Sequence, residues 1–364
     1  MSSHNTAAGS PDLDPAARPE HVERAEQVNG QPARVVAQHR GRYIVRHAGG
    51  EQVAVLAGRL RHQAADPEAL PTVGDWVTLG GSRPEGPAII TAVLPRRSAF
   101  RRKEAGGRTR VQVVAANVDV ALIVSALPTP PNQRRLERYV TLAWESGAIP
   151  VIVLSKSDLV DDLSAVSAAA HAAAPGVDVV AVSTVTGAGL DHLGALLRAE
   201  ETAVLLGPSG AGKSTLANQL LGEARLATGA VRGDGKGRHT TTHRELVRLA
   251  TGAFLIDTPG LRELQLWAAD DGLEAAFADV DEFAARCRFG DCAHDTEPGC
   301  AVRRAIEAGE LEARRLEHWR DLRRELAHLH RRVDEQAATA YRAYAKAMQR
   351  ALRTHLRGKY GGHP

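Results

Sequence analysis

Cysteine is scarce in this 364-residue chain, and long hydrophobic runs are absent from it. The three cysteines, Cys287, Cys292 and Cys300, lie within fourteen residues of one another. An odd number of clustered thiols argues against a disulfide framework and indicates metal ligands instead. No apolar stretch approaches the length that crosses a bilayer, so we expect no membrane association.

The net charge is only +3, which excludes little by itself, but the basic residues are unevenly distributed. Residues 96–110 hold seven basic residues and one acidic residue, and residues 303–364 hold 15 basic and 8 acidic ones. Such clusters are typical either of a solvated face or of contact with a nucleic-acid backbone. The sequence leaves both interpretations open.

The first thirty residues are polar, are rich in proline and alanine, and lack the apolar core of a signal peptide. We therefore expect residues 1–30 to form a disordered tail, and we expect the protein to be cytoplasmic. A chain of this length is too long for one ordinary hydrophobic core and predicts two or three domains.

Residues 31–115 contain about five short β-type runs separated by glycine turns. This pattern predicts a small β-barrel of the OB-fold type, with an SH3-like barrel as the alternative that periodicity cannot separate. Residues 116–270 alternate apolar strands with helical stretches, which predicts a parallel sheet covered by helices. Residues 271–326 hold the cysteines in an α-rich segment. Residues 301–357 are nearly free of glycine and proline, which predicts helix and makes 327–364 a basic helical extension.

A phosphate-binding loop matches GxxxxGK[ST] and lies between a strand that ends at Leu206 and a helical stretch. Its glycines allow backbone N–H groups to face phosphates, and the following helix N-terminus adds partial positive charge. Lys213 is expected to reach the β- and γ-phosphates, and Ser214 to hold Mg²⁺. Only six of the 46 basic residues are lysine, so a chance match is infrequent. The loop comprises Gly207, Pro208, Ser209, Gly210, Ala211, Gly212, Lys213, Ser214 and Thr215.

A candidate guanine-reading motif, Ser155-Lys156-Ser157-Asp158, follows another apolar strand. The usual form is Asn-Lys-x-Asp, in which the aspartate accepts both N–H groups of guanine and the lysine lies over the base. Ser155 can still bond the neighbouring loop backbone but offers no carboxamide, so selectivity is expected to depend on Asp158. Taken alone, the motif could be an ordinary exit from a strand. Ser183, at the end of the next strand, is expected near the guanine carbonyl.

Asp257-Thr258-Pro259-Gly260 ends a later strand, which predicts that Asp257 holds Mg²⁺ through water and that the Gly260 N–H lies near the γ-phosphate. The next residue is Leu261, where many GTPases have a glutamine that orients the attacking water. The glycine-rich loop 233–242 is a candidate first switch, and we take Thr241 from its three threonines as the Mg²⁺ ligand. His239 is the available water-orienting residue, although a solvated loop histidine is an equal alternative.

These motifs occur in an unusual order along the chain. The guanine motif normally comes last, but here it precedes the phosphate loop. This order predicts a circularly permuted P-loop GTPase domain of the α/β class, between the barrel and the cysteine-rich segment.

Cys287, Cys292, His294 and Cys300 form a Cys-x₄-Cys-x-His-x₅-Cys pattern. Three thiolates and one imidazole suit tetrahedral Zn²⁺ and leave no open coordination position. We therefore predict one structural zinc ion, with incidental buried cysteines as the alternative.

The sequence combines the permuted motif order, Leu261 after the Asp257 motif, the segment 237–242 and the cysteine–histidine pattern. Together these features resemble the ribosome small-subunit-dependent GTPase A family (RsgA, also called YjeQ). The resemblance covers residues 33–326. It implies an OB-fold, a permuted GTPase domain and a C-terminal zinc domain. It also implies GTP hydrolysis that is stimulated by the small ribosomal subunit, late in the maturation of that subunit.

The resemblance further implies that His239 is the catalytic residue that compensates for Leu261. The expected ligands are GTP or GDP with Mg²⁺ and one zinc ion, and the expected partners are the small subunit and its rRNA. We expect a monomer. Ser155 departs from the family pattern. Two other functions stay open, namely a non-catalytic, nucleotide-gated RNA-binding zinc protein and an ATP-using P-loop enzyme such as a kinase.

Overall fold

One continuous eleven-stranded sheet runs through the computed structural model of this chain. The structure describes residue 23 and residues 30–39, 41–63, 67–80, 86–103, 111–222, 244–257 and 270–327. The predicted tail and most of the predicted C-terminal extension lie outside these ranges. None of the helices in the described ranges is long and apolar enough to cross a membrane.

The N-terminal part of the sheet closes into a five-stranded barrel. Its strands are β1 (Gln31–His39), β2 (Arg42–His47), β3 (Gly50–Leu56), β4 (Trp76–Gly80) and β5 (Ala88–Val93), with a short helix α1 (Gly58–Gln63) after β3. The strands follow the order β1-β2-β3-β5-β4, and β4 pairs back with β1 to close the ring. Small and branched side chains such as Ala33, Val35 and Ile90 fill the interior. The five predicted strands are thus confirmed as a barrel.

A two-stranded antiparallel hairpin follows the barrel and was not predicted as a separate unit. It consists of β6 (Ala99–Lys103) and β7 (Val111–Ala116). The basic cluster at residues 96–110 begins here, and three of its arginines are already paired. Arg96 forms two 2.8 Å contacts with the buried Asp75 carboxylate, Arg97 pairs with Asp119, and Arg101 pairs with Glu68. These three arginines therefore hold the barrel and its surroundings together.

The central α/β unit contributes six strands to the sheet. They are β8 (Val120–Ala126), β9 (Ile149–Ser155), β10 (Asp178–Val182), β11 (Thr202–Leu206), β12 (Arg244–Arg248) and β13 (Phe254–Asp257). Four helices belong to this unit: α2 (Gln133–Glu145), α3 (Ser164–Ala173), α4 (Leu190–Ala195) and α5 (Lys213–Leu221). The prediction of an all-parallel sheet is wrong at one strand, because β12 pairs antiparallel with β13. A short turn at residues 249–253 joins these two strands, and such a turn permits only antiparallel pairing.

The spatial order of these strands explains the unusual motif order. The sheet runs β10-β9-β8-β11-β13-β12, so β11, which leads into the phosphate loop, lies in the centre. In chain order, β8, β9 and β10 come first and lie on one side of β11. Strands β12 and β13 follow β11 in the chain and lie on its other side. The chain thus reaches the guanine motif, at the end of β9, before it reaches the phosphate loop.

The barrel is joined to the α/β sheet by strand pairing. Ala37 of β1 lies opposite Glu245 of β12 in an antiparallel register, which makes the two sheets continuous. Gly74 adds a second contact, because a Cβ atom there would lie 2.1 Å from the carbonyl oxygen of Ala116. Asn117 donates a 3.0 Å hydrogen bond to the carbonyl of Gly74 and fixes the exit from the hairpin. Barrel and nucleotide unit therefore share backbone contacts as well as a chain connection.

The C-terminal part is helical. Its helices are α6 (Asp270–Ala276), α7 (Ala278–Ala284), α8 (Ala301–Glu307) and α9 (residues 313–327). The predicted helical character from residue 301 is present in two helices, because α8 ends at Glu307 and α9 begins at residue 313. Gly309 lies between them with a φ of +75°, a left-handed conformation that ends a helix.

Helix α9 docks on α2 through a buried ionic network. The Arg315 guanidinium contacts Glu137 at 3.1 Å and Asp279 at 2.7 Å, and it lies 4.3 Å from the centre of the Phe277 ring. His318 lies 2.5 Å from the second carboxylate oxygen of Glu137. Arg138 adds a two-pronged pair with Glu325 at 2.6 and 2.9 Å. The C-terminal helices are thus fixed to the helix that follows β8.

Candidate nucleotide and metal sites

The phosphate loop adopts a backbone that requires glycine at its first position. Gly207 has a φ of +134°, and a Cβ atom there would lie 2.3 Å from the carbonyl oxygen of Val124 in β8. Gly210 and Gly212 also have positive φ angles, +78° and +83°. These turns bring the loop tightly over the end of the sheet and direct it into α5. The sequence pattern therefore occurs in the strand–loop–helix context that phosphate binding needs.

Lys213 begins helix α5 and folds back over the loop. Its Nζ donates hydrogen bonds to the carbonyl oxygens of Gly207 at 2.8 Å and Pro208 at 2.6 Å. The ammonium group and the helix N-terminus thus place positive charge at the same loop. Ser214 and Thr215 lie in the first turn of α5, where Ser214 is half-buried and Thr215 is exposed. The phosphate loop therefore has the features that bind an anion.

The guanine motif contacts the phosphate loop directly, although it precedes the loop in the chain. The Ser155 hydroxyl donates a 2.8 Å hydrogen bond to the carbonyl oxygen of Ala211. The Lys156 ammonium donates to the carbonyl oxygen of Gly210 at 3.2 Å. Ser155, which replaces the usual asparagine, therefore makes the loop contact that the sequence predicts for a hydroxyl. Two of the predicted motifs form one site.

Asp158 lies in a short 3₁₀ helix, Ser157–Leu159, directly after β9. Its carboxylate accepts a 2.5 Å hydrogen bond from the hydroxyl of Ser183, which follows β10. The Ser183 hydroxyl in turn accepts the backbone N–H groups of Val185 and Thr186 at 3.2 and 3.1 Å. The buried serine therefore fixes the orientation of the predicted guanine-reading carboxylate. The Ser183 N–H is bonded within its own loop, to Ala188 at 2.9 Å.

A cleft of about 590 Å³ opens beside the phosphate loop. Residues 208–211 form one side, and the segment 129–132 with Arg135 and Tyr139 of α2 forms another. Asn132 caps α2 by accepting the N–H of Arg135 at 2.9 Å. The N-terminal end of α2 lies across this cleft from the phosphate loop. The same helix also contacts the C-terminal ionic network around Arg315, so it connects that network with the candidate nucleotide site.

A second site lies in the C-terminal unit. One ligand atom from each of Cys287, Cys292, His294 and Cys300 lies within 4.8 Å of all the others. The Nδ1 atom of His294 is 3.6 Å from the sulfur atoms of Cys287 and Cys300, and these two sulfur atoms are 4.0 Å apart. A tetrahedral ion with metal–sulfur bonds of about 2.3 Å needs sulfur–sulfur separations of about 3.8 Å. The four side chains therefore fit one tetrahedral metal ion.

The surroundings of the cluster shift the pKa values of its members. Burial raises the pKa of the Cys292 thiol to about 11. Burial also tends to raise the pKa of the Cys287 thiol. The N–H groups of Ala301 and Val302 point at its sulfur, however, and bring that pKa below its ordinary value. Burial also lowers the pKa of His294, so its imidazole is neutral and able to bind a metal. Two buried thiols, a half-buried third and a neutral imidazole placed together are consistent with a site that a cation completes.

Comparison with known proteins decides the family. The sequence pattern of the RsgA GTPase family matches residues 93–267. The small ribosomal subunit biogenesis GTPase RsgA 1 of Oceanobacillus iheyensis is 47% identical over 312 residues, which cover 85% of this chain and 89% of that relative. This chain belongs to the RsgA GTPase family. Membership identifies it as a GTP hydrolase.

Solved structures agree with this assignment. YjeQ from Thermotoga maritima aligns with a TM-score of 0.62 at 26% identity, covering 82% of this chain and 98% of that one. YloQ, a circularly permuted GTPase, aligns with a TM-score of 0.58 at 23% identity, covering 83% and 96% of the two chains. The second match shows likeness of fold. The fold of this RsgA-family protein is therefore that of a circularly permuted GTPase.

Several predicted residues lie outside the described ranges. They are His239, Thr241 and Gly260, together with Leu261. Asp257 ends β13 at the edge of the described chain, next to β11 in the sheet. The roles predicted for these residues in this RsgA-family protein stay predictions.

Other functional contacts were missed by the sequence analysis. Glu137, Arg315 and His318 form their network across residues far apart in sequence, and no local motif marks them. The sequence does hold a weak sign that Glu137 has a buried partner, because this charged residue lies on the mostly apolar, buried face of α2. A single charge of that kind does not identify its partner.

Proposed function

We propose that this RsgA-family protein hydrolyses GTP on the small ribosomal subunit and acts in the maturation of that subunit. The relatives that match it over most of their length are named small ribosomal subunit biogenesis GTPases. The observation that carries the proposal is the contact of Ser155 and Lys156 with the phosphate loop. That contact assembles a guanine-nucleotide site from motifs in permuted order.

Each part of the site has a role in nucleotide binding. The N–H groups of the loop from Gly207 to Gly212 surround the phosphates, and Lys213 neutralises the β- and γ-phosphates. Asp158, oriented by Ser183, reads the guanine edge. Ser214, and Asp257 through water, would hold Mg²⁺, which would spread the charge that develops on the phosphates during hydrolysis.

Catalysis is assigned to residues of the loop after α5. Leu261 stands where many GTPases have a water-orienting glutamine, and a leucine side chain has no polar atom for this task. We assign the task to His239 and assign the switch ligand of Mg²⁺ to Thr241. Such a site is slow when unaided, so contact with the ribosomal subunit completes it.

The remaining parts serve binding and stability. We assign the domain at residues 31–115 to the OB-fold class because the strand order and closure of its barrel, β1 to β5, suit that class. The nucleotide domain spans 116–270, the zinc domain 271–326, and the basic extension 327–364. The metal ion is one Zn²⁺, because three thiolates and an imidazole prefer it. Residues 328–364 hold eight basic and two acidic residues, which suits contact with rRNA. We expect a cytoplasmic monomer.

Multiple-turnover GTP hydrolysis tests the proposal. Purified small subunits should raise turnover more than tenfold, whereas large subunits should have little effect. His239→Ala should depress the stimulated rate and leave GTP affinity nearly intact. If small subunits give no stimulation, the proposal fails, and only an absence of turnover both with and without subunits would favour a non-catalytic, nucleotide-gated RNA-binding protein. Competition of GTP against ATP for binding tests the role of Asp158 separately.

A further inference from the structure

The turn that carries the histidine of the metal cluster has an unfavourable backbone conformation. His294 has a φ of +61°, in the left-handed region that residues with a side chain rarely adopt. It is nevertheless only 4% exposed, and its Nδ1 atom faces two of the cysteine sulfurs. A group that holds the backbone in this conformation therefore also helps to keep the imidazole beside the thiols.

Glu297 makes the contacts that hold this turn. Its carboxylate accepts the N–H of Ala293 at 3.0 Å, that of Asp295 at 2.8 Å and that of Thr296 at 3.1 Å. These donors lie on both sides of His294, so a single carboxylate closes the turn around the ligand. Its own N–H and those of Ala293 and Asp295 hold the pKa of Glu297 below its ordinary value, so it is ionised at neutral pH.

Glu297 does not belong to the ligand set itself. The four clustered ligand atoms come from three cysteines and His294. The opposite side of the turn is held by α9, where Arg320 donates to the carbonyl oxygen of His294 and the Trp319 ring lies 5.5 Å from the imidazole. Arg320 fixes the carbonyl side of His294, and Glu297 fixes the N–H groups of its neighbours.

We propose that Glu297 is a positioning residue of the metal centre, which acts by holding His294 in the conformation that binds the ion. The proposal rests on the metal centre described above. Three N–H groups share the two oxygens of Glu297, and hydrogen bonds to a carboxylate are stronger than those to a neutral amide. A charged acceptor therefore suits this position. Loss of the carboxylate should leave the three thiolates in place and free the imidazole.

Metal affinity of the full-length protein is the direct test. Zn²⁺ affinity is measured by competition with a chromophoric chelator for the wild type, Glu297→Ala and Glu297→Gln. We expect Glu297→Ala to weaken binding on the order of tenfold, as loss of an outer contact to a metal site typically does. Glu297→Gln should fall between the two. Glu310→Ala is the matched control, because Glu310 is an exposed glutamate of the same unit and should bind like the wild type.

A double-mutant cycle with His294→Ala decides whether Glu297 acts through the histidine. If it does, Glu297→Ala should cause no further loss of affinity in the His294→Ala background. The visible spectrum of the Co²⁺-loaded Glu297→Ala protein should shift toward that of Co²⁺-loaded His294→Ala. Equal losses in both backgrounds, or Glu297→Ala affinity within twofold of wild type, would overturn the proposal. Failure of the wild type to bind Zn²⁺ would instead refute the metal centre itself.

Discussion

Replacement of Arg315 by methionine should strongly destabilise the contact between α9 and the nucleotide unit. The Arg315 side chain is only 3% exposed and bridges the Glu137 and Asp279 carboxylates. It also donates to the carbonyl oxygens of Ala173 and Ala276 at 2.9 and 2.7 Å. Methionine fills similar space but leaves Glu137, whose side chain is fully buried, without its arginine partner and with His318 as its remaining basic contact.

The expected loss is about 3–5 kcal/mol, because removal of one partner from a buried ion pair leaves a buried carboxylate without its full compensation. For a domain of about 150–250 residues, this corresponds to a fall in Tm of roughly 6–20 °C. Arg324→Met is the matched control on the same helix. Its side chain is 77% exposed, pairs with Asp321 and donates to the carbonyl oxygen of Arg320 at 3.4 Å, so the same substitution should cost less than about 1 kcal/mol.

The loss should also depend on pH, with a defined sign. Burial raises the pKa of Glu137, and the charges of His318 and Arg315 oppose that rise. Without Arg315 the pKa should rise further, so the ionised form is penalised at neutral pH. A carboxyl with a raised pKa in the folded state loses stability as the pH rises through that pKa. The loss in Arg315→Met should therefore be largest near neutral pH and shrink under mildly acidic conditions, where Glu137 takes up a proton.

Thermal unfolding of the full-length protein, followed by circular dichroism at pH 7 and pH 5, measures both effects. Arg315→Met and Arg324→Met should differ clearly at pH 7 and less at pH 5. A fall in Tm of less than 3 °C for Arg315→Met, or a fall equal to that of Arg324→Met, would refute the reasoning. A larger loss at pH 5 than at pH 7 would contradict the role given to Glu137.

Three further predictions concern the two sites. Gly207→Ala should abolish binding of a fluorescent GTP analogue, because the new Cβ would lie 2.3 Å from the Val124 carbonyl oxygen; Gly58→Ala, where a new Cβ meets nothing within 4 Å and φ is not positive, should bind normally. Ser183→Ala should weaken GTP binding in calorimetry by about 1.5–3 kcal/mol, because Asp158 loses a charged hydrogen bond, and unchanged affinity would contradict this role. Chelation of the metal should lower the Tm of the C-terminal unit but leave GTP affinity intact, because all four ligands belong to that unit.

The sequence alone predicted the local features of the nucleotide site well. A strand, a glycine-rich turn and a helix carry their own signals, because hydrophobic periodicity and glycine conformations act over a few residues. Gly207 shows this, since its positive φ is what the pattern requires. The motif order likewise indicated a permuted domain, because the order of motifs is itself a property of the sequence.

The antiparallel direction of β12 and the break at Gly309 were not foreseen. The sequence did contain a signal for the direction of β12, because the few residues between β12 and β13 permit only antiparallel pairing. The glycine was also visible in the sequence, but the helix propensity on both sides of it predicted helical structure without locating the break. The hairpin of β6 and β7 was missed because its two strands read like further barrel strands.

The sequence was enough to pick out the candidate residues for binding a phosphate, a guanine base and a metal ion, because such candidates are recognised by residue type and short spacing. Only the tertiary structure decided how these parts connect. It placed Ser155 against Ala211, paired β1 of the barrel with β12, and buried Arg315 between Glu137 and Asp279. Such contacts join residues far apart in the chain. The free energy that selects them comes from burial and charge pairing of the folded whole, which no local pattern records.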